Sequence, residues 1–144
     1  MAPAGARRAA TLQTTELRLD TSGTFLTDLT DHVAGFCRSL GDGLVHVFVP
    51  HATAGVALME LGSGSEADLA ALLDRLLPRD DRYRHRHGSP GHGADHLVPV
   101  LVNPSLSIPV VAGRPLLGTW QSVVLVDLNA DNPRRRVHFS FLAG

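Results

Sequence analysis

The densest chemistry in the chain lies at residues 85–96, HRHGSPGHGADH, where four of the eight histidines fall within twelve residues. Neutral imidazoles coordinate borderline-soft cations, and glycines let a backbone approach a ligand closely. Gly88, Pro90, Gly91 and Gly93 interrupt helix and strand alike, because glycine is costly to order and proline removes a donor. The stretch therefore reads as an exposed loop carrying imidazoles. It suits a metal or an anion, or else serves as a solvated connection, since no HExxH or paired CxxC spacing accompanies it. A second group precedes it in PHATAG, where Pro50 ends an apolar run and places His51 at a sheet end. Thr53 offers a hydroxyl there and Gly55 an accessible backbone. Glu60 then breaks the next apolar run, so its carboxylate must be paired, bound to a cation or drawn into solvent at a strand end.

The elements that must carry these groups follow from periodicity. Residues 11–19 alternate as a half-exposed strand. Leu29, Val33, Phe36, Cys37 and Leu40 form one face of a helix, with Thr27 or Asp28 to cap it and Gly41 or Gly43 to end it. Residues 44–49, LVHVFV, are apolar on both faces and predict a central strand covered on both sides, with His46 either in the core or at a subunit interface. A strand over 56–61 is followed by a second helix, whose stripe is Leu69, Leu72, Leu73, Leu76 and Leu77 and whose start at Ser63 and Glu66 resembles a capping box. Residues 96–102 fit a first-turn helix around Pro99 or an edge strand. Strands are expected over 105–111, 116–117, 120–128 and 135–142. Six or seven strands with two good helices, in neither strict βαβ order nor an all-β pattern, predict a single α+β domain over residues 11–144, built of antiparallel sheets in a sandwich. Strands apolar on both faces in so short a chain imply burial against other copies.

The composition narrows the function. A net charge of −1 leaves no electrostatic footprint for nucleic acid. No run approaches the roughly 18 apolar residues of a membrane span, and residues 1–10 read as a disordered tail without a signal peptide's apolar run. With one cysteine no intrachain disulfide is available, so a cytoplasmic setting is expected and Cys37 reads as a buried core thiol.

Several longer motifs add to this reading. PHATAG followed by Glu60, GADHL at 93–97, PSLSIPV at 104–110, LGTWQ at 117–121 and RRRV near the end together make the chain from about residue 12 onward resemble the YjbQ family. The resemblance implies a small trimeric α+β protein with sheets packed around a threefold axis, an unsettled physiological role, and a weak secondary thiamine-phosphate synthase activity. It carries the family's site residues onto His51, Thr53, Glu60 and His96. Two departures stand out: Met59 replaces a frequent asparagine before the acidic position, and His92 stands where the family has asparagine or aspartate. The second exchanges one potential ligand for a softer one.

The synthase reading joins a pyrimidine diphosphate to a thiazole phosphate with loss of pyrophosphate. Arg134 and Arg136 would meet the departing charge, Trp120 would stack on a heteroaromatic ring, and Gln121 and His85 would line the pocket. A divalent metal, zinc or magnesium, would be held by His51, His92 and His96. Two other readings share that metal. One is a trimeric metal- or ligand-binding protein without turnover; the other is a phosphoester hydrolase using metal-activated water, with Glu60 and His51 as catalytic groups. A small phosphorylated molecule is the expected ligand of the catalytic readings.

Overall fold

A computed structural model of the chain describes residues 10–144, so the tail expected over residues 1–10 lies, but for its last residue, outside the described part. Two antiparallel sheets are formed by β1 (Leu12–Asp20), β2 (Leu26–Asp28), β3 (Gly43–Phe48), β4 (Ala54–Met59), β5 (Ser105–Val111), β6 (Arg114–Pro115), β7 (Ser122–Asp127) and β8 (Arg134–Ala143). The larger sheet has the order β1-β8-β3-β5-β6 and the smaller β2-β7-β4. Helices α1 (Thr30–Cys37) and α2 (Ser65–Leu76) are the two long ones, and α3 (His92–Asp95) and α4 (Val98–Leu101) are single turns. The α+β class and the two packed sheets agree with the sequence reading.

Alternation explains the layering. On β3 and β8, Val45, Val47, Val137, Phe139 and Phe141 point inward and meet Val123, Leu125, Ala54 and Val56 of the smaller sheet, with Leu29, Val33 and Cys37 joining them. Burial of each such valine, leucine or phenylalanine contributes about 1.5–3 kcal/mol before the entropy of ordering is subtracted. The smaller sheet is covered on its other side as well. There Val126 packs with Leu73 and Leu77 around α2, and with Ala94 and Val98 of α3 and α4. The histidine stretch is therefore tied to a helical third layer.

Several local expectations need correction. Ser63 and Glu66 make no capping box: Glu66 accepts from the Gly62 amide at 2.6 Å, and Ser63 donates to Glu60. Gly64, left-handed at φ 96°, begins α2 instead. The strand expected at 116–117 falls at Arg114–Pro115, and the short strand β2 was hidden by its polar Thr27 and Asp28. Residues 98–101 are helical, with Pro99 in the first turn, where a missing amide costs nothing. The strand at residues 44–49 is covered on one face only: Leu44 and Phe48 are exposed, and His46 stands outside the core, its Nδ1 at 2.8 Å from Ser107 Oγ. Gly55 is buried, not accessible. A Cβ there would lie 2.0 Å from the Val102 carbonyl oxygen, so glycine is required by the chain crossing it.

Candidate metal centre

The histidine stretch is only half loop. Gly91 takes a left-handed φ of 86° and starts α3, in which Ala94 and Asp95 are fully buried. The fully buried Asp95 carboxylate is forked by the Arg79 guanidinium and also accepts from Asn129 Nδ2 at 3.1 Å, which offsets the cost of hiding its charge. With that turn anchored, His92 and His96, four residues apart, face the same side, and their Nε2 atoms lie 3.0 Å apart. The preceding chain brings up the other two imidazoles. His85 packs edge-on against His96 with ring centroids 4.3 Å apart, and His87 lies 4.8 Å from His92. A side chain at Gly93 would collide with the His85 carbonyl and Tyr83, so glycine allows this segment to close on α3.

Ligand nitrogens of His85, His87, His92 and His96 all lie within 4.8 Å of one another. His92 and His96 are partly buried, His85 and His87 exposed, and a cavity of about 150 Å³ bordered by His85, His87 and His92 opens to solvent. Desolvation, followed by the neighbouring imidazoles, holds His85 and His96 below the ordinary histidine value of 6.5, which favours their neutral rings. Behind the cluster, His92 Nδ1 lies 2.8 Å from Asp131 Oδ2, and Asp131 also accepts from the Ser89 amide.

The remaining residues singled out in the sequence are elsewhere. His51 is not in the cluster, and its Nε2 accepts from the Arg136 amide at 2.9 Å. Thr53 is buried and accepts from Arg135 Nη2. Arg135 also grips Asp127 through Nε and Nη2, and Asp127 accepts from Thr21 as well. Glu60 holds Ser63, and Gln121 Oε1 accepts from the Gly118 amide, closing its own turn. Trp120 is 72% exposed, and Arg134 and Arg136 are exposed on β8.

Four contributors escaped sequence reasoning. His87 lay in the same stretch and shared its signal. Arg135 also left one, since it falls in phase with the inward-facing Val137, Phe139 and Phe141, and a cation in that phase must be paired. Asn129 and Asp131 left none, because their contacts to the histidine stretch span 34 to 42 residues.

The sequence and fold also match known proteins. The family profile described as "UPF0047 protein YjbQ-like" matches residues 15–144. This chain belongs to that family. A UPF0047 protein of Mycobacterium tuberculosis is 62% identical over 133 residues, covering 92% of this chain and 100% of the relative. One from Methanothermobacter thermautotrophicus is 36% identical, covering 85% of this chain and 86% of that one. Among solved structures, a YjbQ/UPF0047 family protein of Clostridium acetobutylicum superposes with a TM-score of 0.77 at 29% identity, covering 89% and 98% of the two chains. A YbjQ-like protein of unknown function from Sulfolobus solfataricus shares the fold, with a TM-score of 0.86 at 22% identity over 94% of this chain and 99% of that one. Among the described residues, no helix of this family member is long and apolar enough to cross a membrane.

Proposed function

We propose that this family member binds a late first-row divalent metal, zinc foremost, through His85, His87, His92 and His96. The gathering of four imidazole ligand atoms within 4.8 Å carries this reading. The set replaces the His51, His92 and His96 trio, because the lone pair of His51 Nε2 is engaged by the Arg136 amide. With metal–nitrogen bonds of about 2.0–2.1 Å, tetrahedral coordination needs nitrogens about 3.3 Å apart. The His92–His96 separation of 3.0 Å is nearly there, and the exposed His85 and His87 have room to close in. An all-nitrogen set disfavours magnesium, which takes oxygen ligands. Elemental analysis after dialysis against zinc should find about one ion per chain in the wild type and in His51→Ala, and none in His92→Ala or His96→Ala. Equal loss in all three variants, or no ion in the wild type, would sink the reading.

Catalysis at this metal is the second reading, favoured by the solvent opening beside His85 and His87. A hydrolase would activate water there; Glu60, occupied by Ser63, is outside the cluster. The thiamine-phosphate synthase reading rests on family resemblance, with exposed Arg134 and Arg136 as the groups to meet a phosphorylated molecule. Pyrophosphate released only when both precursors are present supports the synthase, and turnover of a single phosphoester supports the hydrolase.

For the assembly, we propose a homotrimer joined through the outer face of the larger sheet. Leu12, Leu142 and Leu44 are exposed there in one cross-strand row, an apolar surface that a second copy would cover. Sedimentation equilibrium distinguishes a mass of three chains from one.

A further inference from the structure

Resting on the metal reading above, we infer that Asp131 is the positioning residue that sets the metal affinity of His92, clasping the β7–β8 loop to the metal centre. Two groups compete for His92 Nδ1: the Asp131 carboxylate at 2.8 Å and the Asn129 amide nitrogen at 3.1 Å. The carboxylate decides the tautomer. An unprotonated Nδ1 and a carboxylate oxygen would repel at 2.8 Å, so the proton sits on Nδ1 and is donated to Asp131. Asn129 works the other way: its Oδ1 accepts from the Asp131 and Asn132 amides and its Nδ2 donates to Asp95, so the amide is fixed with a donor toward the ring, and the proton is held on Nδ1 by the Asp131 carboxylate alone. With Nδ1 protonated, the Nε2 lone pair of His92 is left facing His96 Nε2, the direction in which a shared ion would sit.

The clasp also explains a glycine. Gly88 is left-handed at φ 81°, and a Cβ there would lie 2.6 Å from Asp131 Oδ2 and 2.8 Å from the His92 ring, so the carboxylate and imidazole occupy the space a side chain would fill. Asp131 Oδ2 also accepts from the Ser89 amide, so one carboxylate fixes both a ligand ring and the loop beside it. Carboxylate partners behind metal-bound histidines typically carry about 10–100-fold in metal affinity, because they orient the ring and raise its basicity.

The test uses Co(II) as the probe, with wild type, Asp131→Asn, Asp131→Ala and His92→Ala compared by chelator competition and visible absorption. The expected result is about one Co(II) per chain in the wild type and affinity weakened roughly 10–100-fold in both Asp131 variants. The melting temperature of their metal-free forms should stay near that of the wild type, because Asp131 is exposed. Imidazole nitrogen NMR of the metal-free protein should show His92 protonated at Nδ1 in the wild type and a tautomer mixture in Asp131→Asn, a change that a purely structural role would not produce. If both Asp131 variants hold Co(II) within threefold of wild type while His92→Ala has lost it, this inference falls and the metal centre stands. If the wild type takes up no Co(II), both fall.

Discussion

Replacing Arg135 by methionine tests whether the middle arginine of RRRV is a structural clasp, set apart from its exposed neighbours. Its guanidinium donates three hydrogen bonds, two to Asp127 and one to Thr53, and the residue is only 2% exposed. Asp127 accepts four in all, so the variant leaves a buried carboxylate with only Thr21 and the Asn129 amide. Removing one member of a buried pair typically costs about 3–5 kcal/mol, because the desolvated partner loses its compensation. For a chain of this length, about 2–4 °C per kcal/mol converts that loss into a melting temperature roughly 6–20 °C lower. Arg134→Met and Arg136→Met remove exposed cations and should stay within about 0.5 kcal/mol of wild type. The assay is thermal and urea unfolding of metal-free protein at one fixed concentration, which keeps assembly and ion binding from masking the difference. An Arg135→Met loss below about 1 kcal/mol, or an equal loss in either neighbour, would refute the reasoning.

Two further outcomes follow from the same geometry. Burial, then the charges of Arg135 and Arg136, hold His51 below 6.5, so its NMR titration midpoint should fall under that value. Between the two values the unfolded chain binds more protons than the folded one; the contribution is therefore complete above 6.5 and lost as pH falls through the folded value. A midpoint at or above the ordinary value would contradict the effect of that burial and of the two arginine charges. On the outer sheet face, Leu44→Asp places a charge in the row with Leu12 and Leu142 and should reduce the sedimenting mass from the three chains of the proposed trimer to one. An unchanged mass of three chains would move the interface to another surface.

Much of the fold was legible before the structure, for a physical reason. Alternation at Val137, Phe139 and Phe141 and the helical spacing of Leu69, Leu73 and Leu77 reflect burial on one face, a local property that the chain must write into its own order, whereas Leu72 and Leu76 of the expected stripe are exposed. The histidine stretch offered a candidate ligand set by composition alone, with a solvated connection as its alternative, and the family resemblance rested on motifs spread along the chain. What tertiary structure decided was which imidazoles meet. His92 and His96 share a side only because Gly91 starts a helical turn that Asp95 anchors on Arg79, while His51, selected from its place at a sheet end, is engaged by β8. Asn129 and Asp131 reach the site from another loop, and Gly55 is needed because Val102 crosses it. Such contacts depend on how separate elements pack, so local periodicity does not encode them, whereas each element's own buried face must be present in its residues.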